Sequence, residues 1–337
     1  MPAERQDYPM TERTAAPTLS IVAVSRNDDH GGALLRRMQL FINGLAAQCR
    51  RHHLHAELVL VEWNPPPDRP RLVDALFWPG EDELVQVRII EVSPEVHRRF
   101  PYADRIALYQ MIAKNAGIRR AQGEYVLATN VDILFSDEMM RFLVSSGLKK
   151  KRLYRADRYD VPSDIPLDAL VDHQLEYCRK NILRVCGKNE TRNLQTGEVQ
   201  KLYRDIPVAS GRLRRVLAKV LPPRLRSWED LKEQFILPTE RARLHTNAAG
   251  DFTLMAKEHW FHLRAYPELA MFSFHIDALL CHMAYHAGLQ ETVLPCPIFH
   301  IQHSGHPDRG GWLPKAEHEQ SLEKRVSDEP NLRLTNE

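Results

Sequence analysis

A chain of 337 residues, 43% of them hydrophobic, has room for a substantial core and for one large domain or two fused halves. A formal net charge of +2 excludes a general polyanion binder, so nucleic acid is not an expected partner. The five cysteines (Cys49, Cys178, Cys186, Cys281 and Cys296) are scattered without a C-x-x-C pair, which excludes a disulfide frame or zinc knuckle and reads as reduced thiols of a cytoplasmic protein. Met1 to Pro17 is a polar tail with no signal-peptide run, and no apolar stretch approaches a membrane span.

Strand-like and helix-like patterns alternate through the first half. Leu19 to Val24 is a short apolar run, followed by a helical face of Leu34, Leu35, Met38, Phe41, Ile42, Leu45 and Cys49. Glu57 to Glu62 reads as a second strand, ended by Pro65, Pro66 and Pro67, and Val85 to Val92 as a third. Asp104 to Ala121 reads as a helix closed by Gly123, then Tyr125 to Thr129 as a fourth strand. Ser136, Asp137 and Glu138 supply a cap and two early acids for the next helix. This alternation predicts an α/β fold with a mostly parallel central sheet flanked by helices.

In such sheets ligands sit beyond the carboxyl ends of the strands. Those ends carry Asn27 and Asp28, then Glu62, then Asn130 and Asp132, so three polar clusters are expected on one edge. Farther on, Leu167, Leu170, Val171, Leu175, Cys178 and Ile182 form a helical face, and Leu194 to Val199 reads as a loop or hairpin with glycine at its tip. Gly211 to Arg226 holds six cations and no acid around Leu213, Val216, Leu217, Val220 and Leu221. It suits either a solvated helix face or peripheral contact with an anionic membrane surface. Asp251 to Ala256 and Thr292 to Ile301 read as strands with two helical pieces between them, and the chain turns polar from Asp308.

The run Lys114-Asn-Ala-Gly-Ile-Arg-Arg-Ala-Gln-Gly-Glu-Tyr-Val-Leu-Ala-Thr-Asn-Val-Asp132 resembles a GT-A fold glycosyltransferase of the family 2 type. Members commonly show a helix ending in Asn-x-Gly…Ala-x-Gly, a hydrophobic strand, then Asp-x-Asp. The resemblance follows the order of elements from Leu19 to about His303, with a helical insertion in the middle. It implies a nucleotide-binding half over 18–160, an insertion over 161–245, an acceptor half over 246–306 and a polar tail over 307–337.

The resemblance also implies roles. Asp132 keeps the last acid of Asp-x-Asp and becomes the first metal ligand, while Asn130 replaces the first acid and is left to hold the ribose or a metal-bound water. A divalent cation there would neutralise the leaving diphosphate. Ser25, Asn27 and Asp28 would flank the nucleoside, Glu62 would accept from base or ribose, and Arg26 or Lys114 would reach the diphosphate. Asp277 matches the second acid of the family's Glu-Asp pair and is the candidate base, with Asp251 competing. His300 and His303 follow the last core strand, where many members place a further ligand, and His303 is favoured. Carboxylate, imidazole and phosphate suit Mn2+ somewhat better than Mg2+. His282 and His286, one helical turn apart, are weak evidence for a site.

The expected reaction moves a sugar from a nucleotide-diphosphate donor, a UDP-sugar by resemblance, to a glycan or lipid-linked acceptor. Two alternatives stand beside it: a nucleotidyltransferase, which would need a basic glycine-rich phosphate loop near the first strand, and a non-catalytic carbohydrate-binding protein of degenerate GT-A fold.

Overall fold

The structure is a computed structural model that describes residues 18–80, 84–145, 147–202, 244–271, 273 and 275–303. The tails, and the basic segment 211–226, lie outside the described residues. The first half runs β1 (Leu19–Ser25), α1 (Leu34–His52), β2 (Ala56–Trp63), α2 (Leu72–Ala75), β3 (Val85–Val92), α3 (Pro94–His97), α4 (Gln110–Ile118), β4 (Tyr125–Thr129), β5 (Ile133–Phe135) and α5 (Asp137–Val144). Then come β6 (Arg152–Val161), α6 (Val171–Lys180), β7 (Arg184–Cys186), β8 (Glu190–Asn193) and β9 (Val199–Lys201). After the break follow β10 (Phe252–Ala256), α7 (Lys257–His262), α8 (Ile276–His286) and β11 (Gln290–Ile301).

The strands join one sheet in the order β3-β2-β1-β4-β10-β6-β7-β8-β9, with β11 pairing β5 and β6 off that path. β3, β2, β1 and β4 are parallel neighbours, and β10 runs antiparallel between β4 and β6. This is a mixed sheet whose core strands are mostly parallel, flanked by helices as expected. Side-chain alternation divides the core. Leu19, Ile21 and Ala23 face α1 and α5, while Val22 lies in the cluster with α4, α7 and α8. Both faces of β1 and β2 are therefore covered, which explains their unbroken burial and largely apolar sequences.

The helix motif resolves into separate tasks. A Cβ at Gly117 would stand 2.5 Å from Val22 Cγ1 and 3.1 Å from Val61 Cγ2, so α4 lies on the sheet only because that position is glycine. A Cβ at Gly123 would meet the Ser20 backbone nitrogen at 2.6 Å, where β4 enters beside β1. Asn115 pairs with backbone: its Nδ2 donates to the Tyr266 carbonyl at 2.8 Å and its Oδ1 accepts from the Tyr266 N–H at 2.9 Å. The helix thus pins the segment that leads from α7 toward α8.

Several boundaries differ from expectation. The helix expected over Asp104 to Ala121 begins only at Gln110. Tyr102 has φ 65, which no helix admits, and the Tyr109 hydroxyl donates to the Pro101 carbonyl. Trp63, His97, Phe100 and Tyr109 stack there instead, with ring centroids 5.3 to 6.2 Å apart. The face expected from Leu167 to Ile182 is helical only over Val171–Lys180, and Leu170 stands outside it, 72% exposed and extended at ψ 148. The described part of the expected helical insertion holds helix and sheet: after α6 it extends the edge as β7, β8 and β9, with Gly197 at φ 73 in the β8–β9 hairpin. Ser136 caps α5 as expected, accepting from the Met139 N–H. Among the described residues no helix is long and apolar enough to cross a membrane.

Candidate active site

Because β2, β1 and β4 are parallel neighbours, their carboxyl ends bring Glu62, Ser25 to Asp28, and Asn130 to Asp132 to one edge. The antiparallel β10 begins at that same edge, so Asp251 faces the end of β4. β11 pairs with β5, setting His300 opposite Ile133, one residue after Asp132. Sheet register alone therefore unites residues 170 positions apart.

One corner of the edge is built on Asp132. Its Oδ2 lies 3.2 Å from His303 Nε2, 3.8 Å from His300 Nε2 and 2.8 Å from Arg37 Nη1. Its Oδ1 is buried and has no partner among the described residues. Asp132, His300 and His303 each offer a ligand atom, all within 4.8 Å of one another. His300 Nδ1 stands 3.0 Å from Asp160 Oδ1, so a proton on Nδ1 leaves Nε2 to face the carboxylate. Asp160 is itself matched by Arg158 and Arg184. Burial would raise the Asp132 pKa, but His300, His303 and Arg37 outweigh it and hold the group well below the usual carboxylate range. Burial likewise opposes charge on His300, and the Asp132 and Asp160 carboxylates outweigh it and raise that pKa. A buried carboxylate oxygen without a donor, beside two imidazole nitrogens, fits a divalent ion.

A second corner is built on Asn130. Its Oδ1 accepts from Gln110 Nε2 and from Lys114 Nζ, both at 2.9 Å, and its Nδ2 donates to Asp251 Oδ1. The amide oxygen is thus bonded to protein twice, and one of the two amide N–H groups donates to Asp251. Lys114, fully buried, also donates to the Gly250 carbonyl at 2.7 Å. Burial brings its pKa down to about 8, against the pull of Asp251, Asp277 and Asp132. Lys114 is a strut between α4, the β4 end and the 248–251 turn. Asp251 Oδ2 lies 2.7 Å from Arg158 Nη1, which commits that carboxylate to an ion pair.

Asp277 opens α8 and reaches the same turn, its Oδ2 accepting from the Gly250 N–H at 2.6 Å and its Oδ1 from Ala278. Helix-dipole reasoning alone would lower its basicity. Here burial raises its pKa, outweighing the bonds from Ala278 and Gly250 and the charges of Arg155 and Lys114.

The remaining expected contacts are placed as follows. Glu62 is buried, one oxygen accepting from the Leu72 N–H at 3.0 Å while Oε1 has no partner among the described residues. Burial raises its pKa, against the Leu72 bond. Ser25 points its hydroxyl at Met38 Sδ, 3.3 Å away, and Asn27 donates to the Pro70 carbonyl at 2.9 Å. Asp28 accepts from Arg26 Nη1 at 3.0 Å and from the His30 N–H at 3.2 Å. His282 and His286 are exposed on α8, apart from the Asp132 cluster.

Sequence reasoning missed Arg37, Asp160, Arg158 and Gln110. Arg37 falls among the charged positions of an amphipathic helix, and Asp160 in a strand that alternates charged and aromatic residues; neither pattern marks a site.

The sheet order and this carboxyl-end site define an α/β protein with a mixed sheet whose core strands are mostly parallel. No family model and no curated protein matches the chain. Among solved structures it is similar to GalNAc-T7 crystallised with UDP, GalNAc and Mn2+, at 10% identity over 93% of this chain and 48% of that one, TM-score 0.44. It is also similar to residues 1–349 of S. aureus TarS with UDP-GlcNAc, at 12% identity over 95% and 68%, TM-score 0.45. A third is the catalytic domain of Drosophila β1,4-galactosyltransferase 7 with xylobiose, at 10% identity over 82% and 63%, TM-score 0.34. The chain spans about half the length of the first of these.

Proposed function

We propose that the chain is a glycosyltransferase that moves a sugar from a nucleotide-diphosphate donor, a UDP-sugar, to a hydroxyl of a glycan or lipid-linked acceptor. The observation that carries this reading is the Asp132–His300–His303 cluster at the carboxyl ends of the parallel strands, with a buried carboxylate oxygen awaiting a ligand. When bound there, Mn2+ or Mg2+ would neutralise charge that develops on the leaving diphosphate. Asp132, His300 and His303 would hold it, and Asp160 would fix the His300 ring through Nδ1.

The rest of the edge supplies the other parts. Glu62 Oε1, buried and without a partner among the described residues, is suited to accept from an imide N–H of a uracil base or from a ribose hydroxyl. Lys114 keeps the 248–251 turn against the end of β4 and brings positive charge close to the donor. Asp277, whose pKa burial raises, takes the proton from the acceptor hydroxyl, and its carboxylate is kept in line by the Gly250 N–H. Asp251 is the weaker candidate, since Arg158 holds its Oδ2 and the Asn130 amide its Oδ1. The half-by-half division, donor over 18–160 and acceptor over 246–306, belongs to the same proposal, as does peripheral membrane contact through 211–226.

The test is calorimetric titration of UDP into the protein with and without Mn2+, followed by incubation with a panel of nucleotide sugars and assay of released nucleotide. The reading expects Mn2+-dependent UDP binding that Asp132→Ala abolishes, and release from at least one UDP-sugar. UDP binding indifferent to Mn2+ and to Asp132→Ala would refute the metal role.

A further inference from the structure

Arg37 stands in the first turn of α1, fully buried, and its guanidinium is held from three sides. Nη1 bonds Asp132 Oδ2 at 2.8 Å, Nε lies 3.3 Å from the Gly32 carbonyl oxygen, and Nη2 donates to the His30 carbonyl. The loop can offer those carbonyls because Gly31 and Gly32 take φ 74 and 78. A guanidinium tied down in this way does not swing aside when an ion arrives, and it does not deprotonate in a protein.

The charge count follows. Among the three candidate ligands only Asp132 is an acid, and Arg37 already matches it. The two imidazoles add no negative charge when they ligate. Asp160, behind His300, is itself matched by Arg158 and Arg184. The protein therefore offers a divalent ion three donor atoms and no net negative charge. Hard cations depend on the charge of their ligands, and a fixed cation a few ångströms away opposes them with little water to screen it. A diphosphate would supply the missing charge.

We infer that Arg37 makes metal binding conditional on the nucleotide: alone the ion is held weakly, and the diphosphate completes its site. Arg37 is then a positioning residue that suppresses idle loading by metal and couples ion to donor. The inference rests on the donor reading above, and one experiment separates the two.

Free Mn2+ is followed by its electron paramagnetic resonance signal during titration, with and without UDP, for the wild type, Arg37→Gln, Arg37→Lys and Asp132→Asn. The wild type should bind Mn2+ at least about tenfold more tightly with UDP than without. Arg37→Gln should tighten binding of Mn2+ alone by about tenfold and shrink the gain from UDP, whereas Arg37→Lys, which keeps the charge, should stay near the wild type. Arg37→Gln that is folded by circular dichroism yet binds Mn2+ alone no more tightly than the wild type overturns the inference. If Arg37→Gln does not fold, the wild type decides: Mn2+ held as tightly without UDP as with it overturns the inference equally. No Mn2+ binding to the wild type even with UDP, or unchanged binding in Asp132→Asn, instead sinks the donor reading and this inference with it.

Discussion

Asn130 and Asp132 stand two residues apart after the same strand, and the protein treats them in opposite ways. The Asn130 side chain accepts two bonds and donates one, all to protein. Asp132 keeps a buried oxygen with no partner among the described residues. The corner around Asn130 holds α4, β4 and the 248–251 turn together, while the corner around Asp132 keeps an oxygen that no described residue satisfies. A polar residue at a strand end can thus be mortar or mouth. The difference lies in whether its neighbours satisfy it, which requires knowing partners far away in sequence.

The largest effect should come from the Asp132 corner. Asp132→Ala removes the only carboxylate of the cluster, and UDP binding measured with Mn2+ should fall to the level seen without the ion. Next, Asp277→Asn should leave UDP binding intact and cut turnover by roughly two to four orders of magnitude, as read in a nucleotide-release assay. The wild-type rate should also decline on the acid side above the ordinary carboxylate range. Burial raises the pKa of Asp277, so protonation disables the base as pH falls through that raised value. Retention of the donor's anomeric configuration in the product would remove Asp277 from the base role.

The Asn130 corner predicts smaller and more telling losses. Asn130→Asp would restore an Asp-x-Asp sequence, yet it replaces the amide that donates to Asp251 with a second carboxylate. It should cost about 1–3 kcal/mol in thermal unfolding and bring no gain in Mn2+ affinity. A tighter ion in Asn130→Asp would show that the two corners are not distinct. Gly117→Ala, whose new methyl would meet Val22 Cγ1 at 2.5 Å, should cost about 1–3 kcal/mol by lifting α4 from the sheet. Gln110→Ala removes one of the two donors to Asn130 Oδ1 and should cost about 0.5–1.5 kcal/mol, the smallest change of the set.

Much of this was legible in the sequence because it is local. Strand β4 from Tyr125 to Thr129 lies between a glycine and a polar pair, and α5 announces itself through Ser136 and two acids. Asp132 and His303 were reachable from the order of elements after the Lys114 to Asp132 motif. What stayed hidden depends on contact at a distance. Arg37 reaches Asp132 across 95 positions, and Asp160 reaches His300 across 140. The late start of α4 was equally hidden, since the aromatic stack of Trp63, His97 and Tyr109 outweighs the helical pattern before Gln110. The partners of Ser25 and Asn27, Met38 and the Pro70 carbonyl, were hidden for the same reason.

Strand β11 supplies His300, pairs with both β5 and β6, and leads directly into His303. A chain is made from its amino end, and its earlier parts begin to fold before the later ones exist. Until Gln290 to His303 has emerged, β5 lacks its described pairing strand and Asp132 lacks both imidazoles. The last described stretch to be synthesised therefore completes the pairing of β5 among the described residues and brings both imidazoles to Asp132 in the same event. A product cut short before it would carry Asp132 without either imidazole beside it.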